Sequence, residues 1–199
     1  MRIRLYSIVA MAGMILMLAG ETFAQSYDYS IYNNDPEEIY SGGAPRGRYR
    51  GLSKVPRTTV TFADNYRPGD IVINTTERRL YYVLGDGQAL RYGIGVGRIG
   101  FTWSGVKTVT AKKEWPDWTP PPQMLRRRPD LPRFMKGGED NPLGARAMYL
   151  GSTLYRIHGS NEPETIGEAV SSGCFRLTNE DVIDLYDRVK VGTTVYVLR

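Results

Sequence analysis

Apolar and polar residues alternate in short runs from about residue 58 onward, with the period of two that is typical of half-buried β-strands. Turn residues separate these runs, and Pro68-Gly69 and Gly85-Asp86-Gly87 are predicted to be hairpin turns. The first half of this region is therefore predicted to be a mostly antiparallel sheet, with strands at 59–62, 70–74, 79–84, 89–95 and 106–112.

Helical patterning appears only late in the chain. Thr178 followed by Asp181 forms a capping box, which predicts a helix over 178–189. A shorter helix is predicted over 164–170, and strands at 147–150, 154–158 and 194–198. The domain is therefore expected to be mostly β, with two short helices near Cys174.

A proline-rich segment, residues 115–141, separates the two halves. Six prolines lie within the segment and a seventh, Pro142, lies just beyond it, which excludes regular structure over most of the segment. Loops of this length in a compact domain often serve as lids or substrate walls. Trp118 is a candidate substrate contact here, and Trp115, Phe134 and the arginines at 126–128 are further aromatic and cationic groups.

The first 24 residues have the pattern of a secretory signal peptide. Arg2 and Arg4 precede an apolar run over 8–19 that is short for a membrane span, and Thr22-Phe23-Ala24 suits a signal peptidase. Cleavage after Ala24 would leave 24 basic and 20 acidic residues, a net charge of +4, and no permanent membrane span. An uncleaved anchor is the alternative.

Three regions are predicted: a signal peptide at 1–24, a flexible linker at 25–57 without an apolar period, and one globular domain at 58–199. Export to the periplasm or cell envelope is expected. The mild basic charge suits an anionic surface, although scattered arginines also simply keep a protein soluble. No nucleic-acid module is visible, so no nucleic-acid partner is expected.

Two short motifs suggest other chemistry but lack its structural context. Residues 95–100 fit G-x-G-x-x-G, yet no amphipathic helix follows to hold a dinucleotide. Residues 104–107 fit the S-x-x-K pattern of serine acyl transferases, but they open a predicted strand. One histidine and one cysteine make a catalytic zinc site improbable, so neither metal nor cofactor is expected.

The single cysteine and the single histidine form the candidate catalytic pair. His158 ends a predicted strand, and Cys174 follows a turn of small residues just before the capped helix. Imidazole can take the thiol proton and return it to a leaving group. Gly173 lets the backbone approach a substrate, so the N–H groups of Gly173 and Cys174 are candidate oxyanion donors. A structural histidine and a packed thiol are the alternative interpretation.

The sequence around this pair resembles the L,D-transpeptidase (YkuD-like) family. His158-Gly159 followed by Ser172-Gly173-Cys174-Phe175-Arg176-Leu177 looks like the signature of that family. The likeness extends over about 58–199 and includes the segments at 66–69, 80–83, 92–97, 115–121 and 141–144. The family's turn often reads Ser-His-Gly-Cys, whereas this chain has Ser171-Ser172-Gly173-Cys174, so a backbone carbonyl is expected to orient His158.

The resemblance implies a β-rich, sandwich-like catalytic domain that acts on peptidoglycan stem peptides. Cys174 would be the nucleophile, His158 the base and Gly173 an oxyanion-hole contributor. Arg176, Ser172, Gly159 and Trp118 are the expected substrate-binding residues, although Arg176 and Ser172 have equally plausible structural roles, in a salt bridge and in the turn.

Three functions remain open at this point. The acyl group would pass to the amine of another stem peptide or to an envelope protein such as an outer-membrane protein or lipoprotein. Transfer to water would instead make the protein an L,D-carboxypeptidase. A non-catalytic wall-binding module is the third possibility.

Overall fold

The computed structural model describes residues 53–62 and 65–199 of the 199-residue chain. The predicted signal peptide and most of the predicted linker lie outside these residues, so the division into three regions stays a prediction. No helix among the described residues is long and apolar enough to cross a membrane.

Eleven strands and two α-helices make up the described domain. In chain order they are β1 (Thr58–Thr61), β2 (Ile71–Asn74), β3 (Arg79–Gly85), β4 (Gln88–Gly93), β5 (Val96–Gly97), β6 (Gly105–Glu114), α1 (Pro122–Arg127), β7 (Arg146–Leu150), β8 (Arg156–His158), β9 (Ala169–Ser171), β10 (Phe175–Arg176), α2 (Asn179–Arg188) and β11 (Thr194–Leu198). The mostly β fold class is therefore confirmed.

Nine of the strands form one sheet in the order β1-β4-β3-β2-β11-β6-β7-β8-β10. β2 and β3 pair antiparallel, as do β3 and β4, and Gly85-Asp86-Gly87 is the turn of the β3–β4 hairpin, as the sequence predicts. The hairpin predicted at Pro68-Gly69 is wrong, because β1 pairs with β4 and not with β2. β11 runs parallel to β2, and β10 runs parallel to β8. β5 and β9 form a separate two-stranded parallel ribbon. The closing strand β11 thus inserts into the middle of the large sheet and joins its two halves.

Helix α2 covers the core formed by the sheet. Val182, Leu185 and Val189 recur at helical spacing and are buried among the sheet side chains. Thr178 caps the helix, its hydroxyl accepting from the Asp181 N–H at 3.2 Å, as the sequence predicts. Lys112 closes the other end by donating to two backbone carbonyls there, of Tyr186 and Val189.

The prediction of a helix over 164–170 is wrong. A 3₁₀ turn at Pro163–Thr165 is followed by β9, which pairs with β5. Gly167 has a φ of +94°, which ends any helical turn, and the Glu168 carbonyl accepts from the Val96 N–H. The second helix of the fold is α1, which lies inside the proline-rich segment.

The proline-rich segment is packed rather than open. Buried Trp118, Leu131 and Leu143 form a second, small apolar cluster, against which Met124, Leu125 and Met135 pack. Asn141 is 1% exposed, and its side chain donates to the carbonyls of Met135 and Lys136 and accepts from the Leu143 N–H. Most of the segment is irregular, as the prolines predict, but it has its own core; we call residues 115–143 the wall segment.

The last residues before β1 contact the domain. The Lys54 ammonium donates to the Glu164 carbonyl at 3.1 Å, and the Arg57 guanidinium lies 3.3 Å from Asp184. Val55 lies against Gly93, where an added Cβ would come within 2.7 Å of its side chain. These residues, placed in the linker from sequence, therefore lie on the domain surface.

Candidate active site

The parallel pairing of β8 and β10 brings the two parts of the motif, His158-Gly159 and the segment 172–177, to one place. Phe175 pairs with Ile157, and Arg176 pairs with His158. Because side chains alternate along a strand, the buried Phe175 and Ile157 face the core. His158 and Arg176 therefore lie on the face opposite the core, and Cys174, two positions before Arg176, lies on the same face. The three side chains are thus beside one another.

These side chains line a single cleft. The residues around it come from the wall segment, from the approach to β8 and from the catalytic turn, which we define as residues 171–174. They are Trp118, Pro121, Met124, Pro142, Leu143, Leu154, Tyr155, Arg156, His158, Ser171, Ser172, Cys174 and Arg176. An apolar wall therefore faces a polar strand pair that carries the thiol, the imidazole and two guanidinium groups.

His158 is held as a neutral base. Its ring is 4% exposed, and Nδ1 lies 2.6 Å from the Gly159 carbonyl oxygen. A carbonyl can only accept, so Nδ1 carries the proton and Nε2 keeps its lone pair. The expectation of a backbone partner for His158 is confirmed. Burial, and next the positive charge of Arg176, lower the pKa of His158 to about 3.

Cys174 is half-buried, and its thiol points back toward the chain that leads into β8. Sγ lies 3.6 Å from the Leu154 carbonyl oxygen. Burial raises the pKa of the Cys174 thiol above its ordinary value of 9.0, while the charge and N–H groups of Arg156 and the charge of Arg176 act in the opposite direction. The resting pair is therefore a neutral thiol beside a neutral imidazole.

The catalytic turn is held by its own hydrogen bonds. The Ser171 hydroxyl is buried, donates to the Cys174 carbonyl at 2.6 Å and accepts from the Gly173 N–H at 3.2 Å. Gly173 has a φ of +103°, which side chains rarely tolerate, and an added Cβ would lie 2.6 Å from the Tyr155 ring. Only glycine fits this position.

One predicted substrate-binding residue, Arg176, also has a structural partner. Arg176 lies 3.3 Å from the Glu162 carboxylate, and its guanidinium is largely buried. Burial raises the pKa of Glu162, and the Arg176 charge opposes this rise. Arg176 is therefore rigidly placed at the cleft and acts on it mainly through its charge.

The other predicted site residues also lie at or beside the cleft. Ser172 and Trp118 line it, while Gly159 supplies the carbonyl that binds His158. Trp118 is 6% exposed and belongs to the core of the wall segment, so it shapes the wall as well as facing the cleft. Trp115 and Phe134, in contrast, are outside the group of residues that lines the cleft.

Sequence reasoning missed four residues around the thiol: Ser171, Arg156, Tyr155 and Trp103. Arg156 had a usable signal, because it precedes His158 by two positions in a strand and so shares its face. The sequence indicated Ser171 only as one of the small residues of the turn before Cys174. Trp103 is 70 positions from its hydrogen-bond partner Gly173, and no local pattern indicates that contact.

The two short motifs at 95–100 and 104–107 lie in the strand and turn surroundings that the sequence predicts. Residues 95–100 run from the end of β4 through β5 into a turn, and β6 follows without a helix. Ser104 immediately precedes β6 rather than opening a helix. Neither segment therefore has the local structure on which a dinucleotide site or a serine nucleophile of these motifs depends.

The chain matches the family model of the L,D-transpeptidase catalytic domain (YkuD) over residues 68–197. It is 44% identical over 191 residues to the probable L,D-transpeptidase ErfK/SrfK of Escherichia coli K12, covering 89% of this chain and 58% of that protein. It is 42% identical over 134 residues to the probable L,D-transpeptidase YbiS of the same strain, covering 63% and 43%. The chain thus spans about half the length of these relatives.

Solved structures agree with this assignment of the fold. An L,D-transpeptidase from Mycobacterium smegmatis is 19% identical with a TM-score of 0.53, covering 65% of this chain and 58% of that one. A Brucella melitensis structure described as a probable carnitine operon oxidoreductase is 48% identical with a TM-score of 0.50, covering 71% and 92%. Since the family model covers more than half of its residues, the chain belongs to the L,D-transpeptidase catalytic domain family.

Proposed function

We propose that this protein is an exported L,D-transpeptidase that acts on peptidoglycan stem peptides through a Cys174–His158 dyad. The observation that carries the proposal is the geometry of β8 and β10. Their register places the thiol and a buried imidazole in one cleft, with the imidazole tautomer fixed by Gly159. Membership of the L,D-transpeptidase family supports peptidoglycan stem peptides as the substrate class.

The first half-reaction forms an acyl-enzyme. Cys174 Sγ attacks the carbonyl of the third residue of a stem tetrapeptide, while its proton moves to His158 Nε2. The carbonyl oxygen becomes an oxyanion, which backbone N–H groups of the catalytic turn stabilise. The intermediate then collapses, the bond to the terminal D-alanine breaks, and Nε2 returns its proton to the departing amine.

The second half-reaction reverses these roles. An incoming amine gives its proton to Nε2 and attacks the thioester, and Cys174 leaves as the thiol once that proton returns to Sγ. The neutral resting pair suits this cycle, because a neutral Nε2 accepts a proton in each attack. The positive charges of Arg156 and Arg176 favour the thiolate as it forms and suit the carboxylates of a stem peptide.

The acceptor distinguishes the outcomes of the proposed reaction. Transfer to the side-chain amine of another stem gives a cross-link, transfer to an envelope protein anchors it, and water gives a tripeptide. The apolar residues of the wall segment, among them Trp118 and Met124, flank the cleft and would limit access of water to the thioester. This feature favours an amine acceptor.

The test is incubation of the mature protein with a disaccharide-tetrapeptide, followed by mass analysis. Transpeptidation yields free D-alanine and a dimer, whereas carboxypeptidase activity yields D-alanine and a tripeptide monomer. Cys174→Ala is the control. Absence of D-alanine release, together with a thiol that resists acylation by a carbapenem, would overturn the enzymatic proposal in favour of a wall-binding module.

A further inference from the structure

Trp103, in the connection between β5 and β6, contacts the catalytic turn directly. Its indole Nε1–H donates to the Gly173 carbonyl oxygen at 2.9 Å. The indole stacks on Tyr155 with ring centroids 4.6 Å apart and planes 11° apart, and it also contacts Phe175 at 5.6 Å. The donor is therefore held in place by aromatic contacts with two neighbours.

The peptide unit that Trp103 binds also contains the Cys174 N–H. The described chain has no cis peptide bond, so the Gly173 carbonyl and the Cys174 N–H point in opposite directions. A hydrogen bond that fixes the carbonyl therefore fixes the direction of the N–H. Accepting that bond also polarises the peptide, which makes its N–H a stronger donor.

The Gly173 N–H, the other candidate oxyanion donor, has a different partner. It donates to the Ser171 hydroxyl within the turn. The Cys174 N–H is thus the better placed of the two donors for an oxyanion that forms beside Sγ. Gly173 therefore contributes through its backbone conformation and its carbonyl group rather than through its N–H group.

We propose that Trp103 is a positioning residue of the oxyanion hole. Through the peptide between Gly173 and Cys174, it aims the Cys174 N–H at the oxygen of the carbonyl that Sγ attacks. The inference rests on the proposed acyl transfer. It adds a residue distant in sequence from the Cys–His motif, with a contribution to catalysis that does not involve the proton transfer by His158.

The test compares two reactions of the same thiol. Acylation by a carbapenem passes through an oxyanion, whereas alkylation by iodoacetamide displaces iodide at a saturated carbon and forms none. Trp103→Phe keeps an aromatic ring and removes the N–H. We expect carbapenem acylation to slow about tenfold, part of the roughly hundredfold or greater loss typical of removing an oxyanion donor outright. Alkylation should stay within about twofold of wild type.

Two further variants make the comparison sharper. Replacement of Trp103 by benzothienylalanine keeps the bicyclic shape and exchanges the N–H for sulfur, so it should reproduce the acylation defect even if phenylalanine repacks. Tyr82→Phe is the matched control, because it also removes one aromatic donor to a backbone carbonyl, that of Arg188, away from the cleft. Its acylation rate should equal that of wild type.

Peptide turnover by Trp103→Phe gives an independent readout. Its kcat should fall, while its KM should stay within about twofold of wild type. Equal loss in both thiol reactions, or full acylation activity in the benzothienylalanine variant, would overturn the inference. Wild-type protein that alkylates but is never acylated would instead overturn the proposed function. The two failures are therefore distinguishable.

Discussion

The strand pair β8 and β10 and the wall segment face each other across the same cleft, yet they are built differently. The strand pair belongs to the nine-stranded sheet, and its core-facing residues Ile157 and Phe175 are almost fully buried. The wall segment is largely irregular and has a small core of three buried side chains, Trp118, Leu131 and Leu143. The thiol and imidazole are therefore on the more rigid side.

This difference separates two tasks. Proton transfer requires atoms held within a fraction of an ångström, which sheet register and hydrogen bonds provide. Substrate recognition tolerates, and often needs, a surface that adapts. A small core with few buried contacts also costs less free energy to open locally than the main core. We therefore expect changes in the strand pair to affect kcat and changes in the wall segment to affect KM.

The largest expected effect is that of Cys174→Ser. A serine hydroxyl beside one unassisted imidazole is a far poorer nucleophile than a thiol, so acyl transfer should fall below detection. The variant should melt within a few degrees of wild type, because the exchange is nearly isosteric. D-alanine release from a tetrapeptide is the measurement, and turnover close to that of wild type would rule out the mechanism.

His158→Gln should lower kcat about a hundredfold or more, since glutamine has similar reach but cannot shuttle a proton. The loss should persist across the pH range and at saturating substrate. Full recovery at high substrate concentration would mean that His158 binds substrate rather than moving protons, and the dyad assignment would then fail.

Leu131→Ala tests the wall segment without changing a residue that lines the cleft. Loosening its small core should raise KM about five- to tenfold, while iodoacetamide alkylation of Cys174 changes little. Leu177→Ala is the matched truncation in the main core, where Leu177 is fully buried, and should cost about 2–5 kcal/mol of global stability. If Leu131→Ala lowered kcat and left KM unchanged, the division of tasks would be wrong.

The smallest expected effect is in the pH profile of acylation. Because burial lowers the pKa of His158 to about 3, the imidazole stays unprotonated, and so able to accept a proton, well below pH 6.5. Because burial raises the pKa of the Cys174 thiol, its ionisation without proton transfer to His158 is shifted to higher pH than for an ordinary thiol. Acylation should fall at both low and high pH and so follow a broad bell-shaped profile, whose two limbs belong to the coupled dyad.

Carbapenem acylation at constant ionic strength, followed from about pH 4 to pH 10, measures that profile. An acid limb between pH 6 and 7 would indicate that His158 takes up a proton near its ordinary pKa of 6.5. The conclusion that burial keeps the imidazole unprotonated at lower pH would then be withdrawn.

Much of this molecule follows from its sequence by itself. Period-two alternation predicts the strands β2, β3 and β4, Gly85-Asp86-Gly87 predicts the hairpin β3–β4, and the capping box predicts the start of α2. The lone Cys174 and His158, with the small-residue turn, are the basis of the proposed acyl-transfer chemistry. These features rest on local rules: side-chain periodicity, backbone preferences of glycine and proline, and the proton affinity of imidazole.

Only the tertiary structure decided the rest, because it depends on contacts between residues distant in sequence. Pairing with β5 turns the predicted helix at 164–170 into a turn followed by β9, overriding a weak local preference. The lowered pKa of His158 comes from burial, and next from the charge of Arg176 across the strand pair. The bond from Trp103 to Gly173 spans 70 positions and follows from packing that no local pattern encodes.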